Sequence, residues 1–444
     1  MAWISDYLSN RTQQVKLKNS VSSVGFLNSG VPQGSVLGPL LFLTYINDIP
    51  DGLHGLTRLF AHDTSNSHTS NDLSQIQSEN NHDLLKITQW AKDWLVDFNP
   101  QKTKVMIFGS KQSNYDSPNF IFDGETLSPS SVHRHLGVVL SDDAKWSNHV
   151  DFIISRVSKQ ISFLRKLKYQ LSKNFLSNIY ITFIRPTFEY ASEVWDNITV
   201  YDSERLEKFQ LEAGRIVTGL PLYSSRASIY FETGWETLKT RRLNKKLCLM
   251  YKIYNNLVPN YLSNLVPNQV GANHHYNLRN NEDISIPISR TSLYQSSFIP
   301  STIKAWNNLP LSTRQSNTLS QFKTKLKPTS TSRSSFLDHG DRKLNILHTR
   351  LRHGSSSLND DLFRVNLTSD SSCSCGTSIE NAEHFFLSCR NYHIIRQELF
   401  AKITQLGATP DISTILHGNP DLSIATNIKI IEAIHKFISH SKRF

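Results

Sequence analysis

Hydrophobic and polar side chains in the first part of the chain follow the periods of short strands and one helix. Polar and apolar positions alternate over residues 13–18, and residues 21–27 provide a second segment of strand character. Residues 40–46 form an apolar run directly after Pro39, and proline is common in the first turn of a helix. The pattern therefore predicts paired strands followed by a buried helix.

The next pattern predicts a β-hairpin over residues 56–68, with its turn at residues 62–63. A long amphipathic helix is expected to follow, because apolar residues recur three or four positions apart over most of segment 73–94. These apolar positions are Leu73, Ile76, Leu84, Ile87, Ala91 and Trp94. Short apolar runs at residues 105–108 and 136–140 predict two further buried strands.

The remainder of the chain is predicted to be mainly helical. A basic helical pattern covers residues 151–173, and helical spacing continues through residues 175–320 apart from an irregular part at 259–299. Residues 327–335 are small and polar without an apolar anchor, which is typical of a linker. We therefore predict an α/β (α+β) protein whose last domain covers residues 336–444.

Size and charge narrow the class of protein. The chain has 444 residues, of which 38% are hydrophobic, so it is long enough for two or three domains. Its net charge of +11 fits a phosphate-rich partner and fits ordinary basic proteins equally well. The first residues lack a signal-peptide pattern, and the longest apolar run is shorter than the roughly 20 residues that span a bilayer. We therefore expect a nuclear or cytoplasmic protein with no membrane partner and no secreted partner.

Basic side chains dominate the predicted helix over residues 151–173. No acidic residue occurs between Phe152 and Phe188. One interpretation is an ordinary solvated helix face, and the other is a helix that lies along nucleic-acid phosphates. The single sign of charge over so long a stretch favours the second interpretation. The predicted nucleic-acid-binding residues are Arg156, Lys159, Arg165, Lys166, Lys168 and Lys173.

Three of the four cysteines lie close together near the end of the chain, which favours a metal site over a disulfide framework. With one histidine they give the pattern Cys-x-Cys-x8-His-x4-Cys, a donor set suited to a closed tetrahedral Zn²⁺ site. The gap between the first two cysteines is shorter than usual, so unliganded cysteines remain the alternative, and His393 is a spare ligand. The predicted zinc ligands are Cys373, Cys375, His384 and Cys389.

Several sequence blocks occur in a defined order along the first half of the chain. The most distinctive block reads GVPQGSVLGPLLF at residues 30–42. The other blocks lie at residues 3–11, 45–49, 60–64, 98–103, 135–138 and 184–195. Together they resemble the reverse transcriptases of non-LTR (LINE-type, jockey-like) retrotransposons, and the resemblance is strongest over residues 1–220.

The resemblance implies a partial right-hand polymerase. Residues 1–150 would form part of a palm, residues 151–220 a helical thumb, and residues 221–326 a mainly helical connecting region. After the linker at 327–335, residues 336–444 would form a zinc-knuckle-like domain. The implied activity is RNA-directed DNA polymerisation, with an RNA template and an RNA–DNA duplex as partners and target DNA as a further candidate.

The hairpin departs from the family pattern. Nucleotide addition uses two Mg²⁺ ions held by carboxylates, and the family supplies two of these carboxylates as an Asp-Asp pair at the hairpin tip. Here the pair reads His62 and Asp63, so Asp63 alone is expected to be a weak Mg²⁺ ligand. The family's third aspartate lies in an upstream block that nothing in residues 1–27 matches. We therefore expect an N-terminally truncated and catalytically defective chain.

Other roles are carried over from the resemblance as expected contacts. Gln33 and Gly34 would approach the incoming nucleotide and template, and Lys102 would lie near the triphosphate. The primer terminus would be held by residues of the primer grip, which are His135, Leu136 and Gly137. Turn formation alone is an equally good explanation for the two glycines.

Two further functions compete with polymerisation. One is a non-catalytic nucleic-acid-binding remnant that uses the basic thumb, Arg241, Arg242 and the zinc module. The other is no function at all, as in a translated fragment of a decayed element. Binding to an RNA–DNA duplex that falls steeply with salt would favour the first of these.

Overall fold

The computed structural model describes residues 2–27, 29–32, 34–109, 118–273, 280–327 and 334–444. The chain separates into two compact units, of which the first contains residues 1–133 and 141–144. The second unit contains residues 134–140 and 145–444. Helices and two-stranded sheets occur together, so the predicted fold class is confirmed as a mixed helix and strand protein.

The first unit begins with one helix and four short strands. They are α1 (Ala2–Leu8), β1 (Arg11–Gln13), β2 (Lys16–Leu17), β3 (Ser20–Val21) and β4 (Gly25–Leu27). β1 pairs antiparallel with β4, and β2 pairs antiparallel with β3. The predicted strands are therefore present, although most of their side chains are exposed.

A long helix organises the rest of the first unit. The elements are α2 (Gly38–Ile46), β5 (Leu56–Phe60), β6 (Asp63–Ser67), α3 (Leu73–Asp93), β7 (Phe120–Phe122) and β8 (Glu125–Leu127). The Asp72 carboxylate accepts a hydrogen bond from the Ser74 amide and so starts α3. Leu84 and Ile87 of α3 share a core with Phe120 and Phe122 of β7. The predicted amphipathic helix is confirmed, and its apolar face is buried at Leu84, Ile87 and Ala91, whereas Trp94 follows the helix and is exposed.

Two expectations about buried segments in this unit are wrong. Only Gly38 and Ile46 of α2 are buried, whereas Leu40 is 60% exposed, because few other described residues pack against this helix. Residues 105–108 form no strand, because Val105 makes only an isolated bridge to Pro129 and no neighbouring ladder extends it. An apolar run forms a β-strand only when another strand pairs with it. The sequence pattern alone does not show whether such a partner strand is present.

A hairpin of β9 (Val132–His135) and β10 (Val138–Ser141) precedes a mainly helical region. This region contains α4 (Ser147–Lys166), α5 (Lys173–Ile179), α6 (Arg185–Glu189), α7 (Ser192–Trp195), α8 (Val200–Thr218), α9 (Arg226–Thr233), α10 (Leu238–Tyr254), α11 (Asn260–Ser263), α12 (Ser292–Ser296), α13 (Phe298–Asn307), α14 (Leu311–Arg314) and α15 (Leu319–Leu326). A π-helical turn, Tyr180–Ile184, joins α5 to α6. The core packs α4 against α8, with Val157 and Leu164 fully buried. A separate core around Trp306 and Phe322 joins α10, α13 and α15.

The last part of the second unit is helical, with one irregular segment between its second and third helices. Its helices are α16 (Arg342–Arg352), α17 (Asn359–Phe363), α18 (His393–Gln405), α19 (Ile412–His417) and α20 (Ile424–Ser441). Phe385, Phe386 and Phe437 lie at the centre of its core. Among the described residues, no helix combines the length and the apolar character that crossing a bilayer requires.

Candidate catalytic hairpin and metal centre

The predicted hairpin over residues 56–68 is present. β5 and β6 pair antiparallel, with Phe60 opposite Asp63 and Leu59 opposite Thr64. The two turn residues are Ala61 and His62, one position earlier than the predicted turn. Ala61 has a φ of 49°, in the left-handed region that tight hairpins require.

The tip of this hairpin does not fit a pair of Mg²⁺ ions. The His62 side chain is 85% exposed and the Asp63 side chain 49% exposed, with 3.8 Å between Nε2 and Oδ1. Mg²⁺ prefers several oxygen ligands in octahedral geometry, and a neutral imidazole supplies none. Asp63 is therefore one exposed carboxylate beside a histidine.

The base of the hairpin is held by a carboxylate that the sequence analysis missed. The Asp83 side chain is fully buried and accepts hydrogen bonds from the His54 amide at 2.9 Å, the Gly55 amide at 2.8 Å and Asn66 Nδ2 at 2.9 Å. His68 Nε2 lies 3.2 Å from Asp83 Oδ2. Burial raises the pKa of Asp83, but these hydrogen bonds outweigh it and lower the pKa to about 2. Asp83 lies on the apolar face of α3, and a charged residue on that face is the sequence feature that could have indicated a buried carboxylate.

Of the residues expected to contact the nucleotide, Gln33 lies outside the described residues. Gly34 has a φ of 81° and precedes a turn in which Ser35 Oγ donates to the Pro32 carbonyl at 2.7 Å and accepts from the Gly38 amide. Lys102 is exposed, and its amide donates to Asn99 Oδ1 at 3.1 Å. These contacts explain the two turns, and the nucleotide roles stay predictions.

The predicted primer-grip residues form the turn between β9 and β10. Leu136 and Gly137 both have positive φ angles. Tyr190 Oη donates to the Leu136 carbonyl at 2.8 Å, and a Cβ on Gly137 would lie 3.0 Å from the Tyr190 ring. Tyr190 was missed as a site residue although it belongs to one of the sequence blocks. The turn therefore packs closely against Tyr190, which directly follows α6, and this close approach explains why residue 137 is a glycine.

The base of the same hairpin rests on a buried histidine. The Val139 amide donates to His149 Nδ1 at 3.2 Å, and the His149 ring packs edge-on against Trp195. Burial lowers the pKa of His149 to about 4, so the imidazole is neutral at physiological pH. A neutral ring is needed for this role, because Nδ1 must accept the hydrogen bond.

The basic residues after position 151 differ in their surroundings. Arg156, Lys159 and Lys166 are exposed on α4. Arg165 pairs with Glu212, and Lys168 Nζ lies 5.1 Å from the centre of the Tyr169 ring. The exposed members fit a surface for phosphates.

Lys173 has a different environment. Its side chain is 10% exposed and forms ion pairs with Glu232 at 2.7 Å and Asp338 at 3.2 Å. Arg242 is similarly buried and pairs with Asp196 at 2.8 Å. Both cations are therefore neutralised by carboxylates within the protein. The buried position of Arg242 argues against the expected contact of this residue with nucleic acid.

The four predicted zinc ligands come together. The donor atoms of Cys373, Cys375, His384 and Cys389 lie within 4.8 Å of one another, and we call this group the Cys3His centre. Cys373 Sγ lies 3.7 Å from Cys389 Sγ, and Cys375 Sγ lies 3.2 Å from His384 Nε2. Zn–S bonds of about 2.3 Å and Zn–N bonds of about 2.0 Å in a tetrahedron require donor separations of about 3.5 to 3.8 Å. The donor set therefore fits Zn²⁺ in chemistry, and the 3.7 Å separation of the two thiols matches the size of such a site.

The local backbone explains why this spacing works. Gly376 has a φ of 75°, and its amide donates to the Cys373 carbonyl at 2.9 Å, so the chain turns tightly between the first two cysteines. His384 opens a π-helical turn, and the Cys389 amide closes it by donating to the His384 carbonyl at 2.8 Å. His384 Nδ1 lies 3.1 Å from Ser388 Oγ, which fixes the ring as outer partners of metal ligands do.

The surroundings of two thiols differ in their effect on ionisation. Hydrogen bonds from Thr377 lower the pKa of Cys375 to about 6, whereas burial raises the pKa of Cys389 to about 12. A thiol buried beside another thiol has no neighbour that stabilises its thiolate unless a cation is present. The arrangement is therefore suited to a bound metal ion.

Comparison with known proteins agrees with the block pattern. Residues 1–164 match the family described as reverse transcriptase (RNA-dependent DNA polymerase). The chain is 25% identical over 247 residues to the probable RNA-directed DNA polymerase from transposon BS of Drosophila melanogaster, which covers 53% of this chain and 27% of that protein. It is 25% identical over 255 residues to the RNA-directed DNA polymerase from mobile element jockey of the same fly, covering 55% and 27%.

A third relative is the probable RNA-directed DNA polymerase from transposon X-element of Drosophila melanogaster, 26% identical over 235 residues, covering 51% of this chain and 26% of that protein. The matched part thus spans about a quarter of the length of these relatives. The predicted resemblance to jockey-like retrotransposon reverse transcriptases is confirmed by these matches.

Proposed function

We propose that this chain is the palm and thumb part of a non-LTR retrotransposon reverse transcriptase that binds an RNA template and an RNA–DNA duplex but does not add nucleotides. The family match over residues 1–164 and the relatives named as RNA-directed DNA polymerases support the polymerase ancestry. In this proposal β5 and β6 belong to the palm, and α4 to α8 form the thumb.

The single observation that carries the loss of catalysis is the hairpin tip. Two bound Mg²⁺ ions would activate a primer 3′-hydroxyl and steady the triphosphate. His62 stands where the family pattern has the first aspartate of the pair, and it contributes no oxygen ligand. Asp63 alone does not replace the pair, and the hairpin itself is otherwise formed normally.

A surface on α4 supports the binding of a duplex. Phe152, Arg156, Lys159, Phe163 and Lys166 are spaced four or three residues apart and therefore share one face, which we call the basic face. Phe163 is 60% exposed. The guanidinium groups of Arg134 and Arg156 lie 4.9 Å and 5.6 Å from the centre of the Phe152 ring. Basic groups beside one exposed and one partly buried aromatic ring suit phosphates and sugar or base surfaces together.

The Cys3His centre has a structural role in this proposal. Zn²⁺, when bound, would cross-link the turn that contains Cys373 and Cys375 to the π-helical turn that ends at Cys389. Cys373, Cys375, His384 and Cys389 use all four tetrahedral positions, so no position remains for a substrate or a catalytic water.

Primer extension tests the catalytic part of the proposal. We expect no template-directed extension of a DNA primer on RNA by the purified chain in Mg²⁺ or Mn²⁺. We also expect none after His62→Asp, because residues 1–27 contain no match to the block that supplies the family's third aspartate. Extension by the unaltered chain would overturn the proposal, and extension by H62D alone would show that the hairpin residue is the sole defect.

Duplex binding tests the other part. Fluorescence anisotropy with a labelled RNA–DNA duplex is expected to show affinity that falls steeply between 50 and 200 mM salt, as phosphate contacts require. The double variant R156A/K159A is expected to reduce the slope of log affinity against log salt by about 2, since each lost contact removes about 1. K252A, an exposed lysine on α10, is the matched control. Absence of binding at low salt would leave only the explanation of a fragment without function.

A further inference from the structure

Helix α16 contacts the ends of two helices in the neighbouring region of the same unit. Arg342 Nε donates to the carbonyl of Lys168, two residues beyond α4, at 3.3 Å. Its Nη2 donates to the carbonyls of Ile216 at 3.0 Å and Val217 at 2.6 Å, in the last turn of α8. One partly buried cation thus satisfies carbonyl groups at the C-terminal ends of both helices, where the helix dipole favours positive charge.

A second contact lies about two turns further along α16. Arg350 Nε donates to the Gly219 carbonyl at 2.9 Å, directly after α8. Gly219 has a φ of 78°, and a Cβ there would overlap the side chain of Ile346. The end of α8 is therefore shaped to receive α16, with no room for a larger residue.

The third contact is a buried ionic group. Glu232 of α9 is fully buried and binds Arg352 Nη1 at 2.6 Å and Lys173 Nζ at 2.7 Å. His353 Nε2 lies 3.0 Å from the same carboxylate. Because a buried carboxylate is costly without its partners, α16 must stay in place for Glu232 to be satisfied.

Apolar side chains of α16 belong to the core beside the Cys3His centre. Leu351 belongs to the same core as Phe385 and Phe386, which lie between the ligands His384 and Cys389 in sequence. The Cys3His centre, the two phenylalanines and α16 therefore form one continuous packed path to the ends of α4 and α8.

We propose that zinc binding at the Cys3His centre holds α16 in place and thereby orders the C-terminal ends of α4 and α8. The centre acts on the helix that carries the basic face, although it touches neither helix directly. Loss of the metal frees the π-helical turn that positions Phe385 and Phe386, α16 loosens, and the carbonyl groups at the two helix ends lose Arg342.

Hydrogen exchange on the full chain tests this coupling without any nucleic acid. Zinc-loaded protein is compared with protein treated with a chelator, and amides of residues 166–171 and 216–219 are followed. We expect their exchange to quicken about tenfold after zinc removal, since hydrogen bonds to a charged group contribute about 1.5 kcal/mol or more and each 1.4 kcal/mol is tenfold. Amides of α13, which packs in a separate core, are expected to be unchanged.

Variants of Arg342 test the role of α16 while zinc remains bound. R342A is expected to reproduce the faster exchange at both helix ends with zinc still bound, and R342K, which keeps the charge but fewer donors, is expected to give a smaller effect. K343A, an exposed neighbour on the same helix, is the matched control.

Three results would overturn the proposal. In the first, chelation disorders residues 371–392 and leaves 166–171 and 216–219 unchanged. In the second, α13 loses protection equally, which means that the effect does not pass through α16. In the third, both Arg342 variants exchange like the unaltered chain. None of these results depends on duplex binding, so failure here is distinguishable from failure of the proposed function.

Discussion

The hairpin of the first unit and the Cys3His centre of the second are both candidate metal sites, and they have opposite properties. The hairpin keeps its backbone, with Phe60 paired to Asp63, but its tip exposes His62 and one carboxylate to solvent. The Cys3His centre keeps all four donors, and three of its four residues are buried. The fold of this hairpin does not depend on the exposed side chain of His62, whereas a zinc-binding segment depends on every ligand. A site whose ligands also hold the fold is thus less tolerant of substitution than a site whose ligands serve only chemistry.

The largest effect is expected from metal removal at the Cys3His centre. C389S is expected to lower the free energy of unfolding of the C-terminal part by several kcal/mol, because structural zinc sites in small modules contribute about 10 kcal/mol and this part also has its own apolar core. Urea unfolding with and without a chelator measures this loss. C248S, which changes the cysteine outside the centre, is expected to retain one zinc per chain. Equal stability of C389S and the unaltered protein would remove the contrast between the two sites.

The next effect concerns the base of the hairpin rather than its tip. D83A is expected to destabilise the first unit by about 3 kcal/mol, because the amides of His54 and Gly55 and the Asn66 side chain would lose their buried acceptor. Hydrogen exchange of β5 and β6 measures this change. D93A, on the exposed end of the same helix, is the control and is expected to change stability by less than about 0.5 kcal/mol. If β5 and β6 of D83A remain protected from hydrogen exchange, the hydrogen bonds of Asp83 are not what stabilises the hairpin.

Acid is expected to act on the two units at different pH. The pKa of Asp83 is lowered from 3.8 to about 2, so its contribution of about 2 kcal/mol is present above pH 4 and is lost as the pH falls towards 2. Burial lowers the pKa of His435 on α20 from 6.5 to about 4, so unfolded protein binds the proton more readily and stability falls between pH 6.5 and 4. The loss there is about 3 kcal/mol when complete.

Hydrogen exchange at several pH values distinguishes these two transitions. The core around α20 is expected to weaken first as the pH falls, and the hairpin base later. H435Q is the variant that tests the assignment, because it removes the titration while keeping a polar side chain. A C-terminal core that is insensitive to pH between 6.5 and 4 would contradict the expected role of His435.

The smallest effect is expected at the hairpin tip. H62D is expected to change the free energy of unfolding by less than about 0.5 kcal/mol, because the side chain is exposed. Paramagnetic broadening by Mn²⁺ near Asp63 is expected to increase, since a second carboxylate adds an oxygen ligand. A loss above about 1 kcal/mol would show that His62 has a structural role and that the tip is less independent of the fold than we infer.

Local patterns predicted the elements but not the contacts between them. The hairpin, the amphipathic α3, the basic α4 and the four zinc ligands follow from periodicity and spacing, because each involves residues near one another in sequence. Asp83, Tyr190 and the three arginines of α16 were missed. Their partners lie from 17 to more than 170 residues away, and no pattern in one sequence indicates which distant group a charged side chain will meet.

The same limit explains the two wrong expectations in the first unit. Residues 40–46 and 105–108 are apolar enough for a core, but an apolar run does not show whether other segments cover it. Burial depends on how the whole chain packs. The sequence therefore predicts it reliably only for a helix with a single apolar face, such as α3 or α4.

The buried carboxylate of Glu232 has a consequence for synthesis of the protein. Lys173 precedes it by 59 residues, whereas Arg352 follows it by 120 residues. A ribosome adding about 5 to 20 residues per second would leave Glu232 without its second cation for many seconds after α9 has been made. The helical region therefore reaches its final packing only after α16 has emerged, and a nascent chain stalled before that point would keep this surface hydrated and open to chaperones.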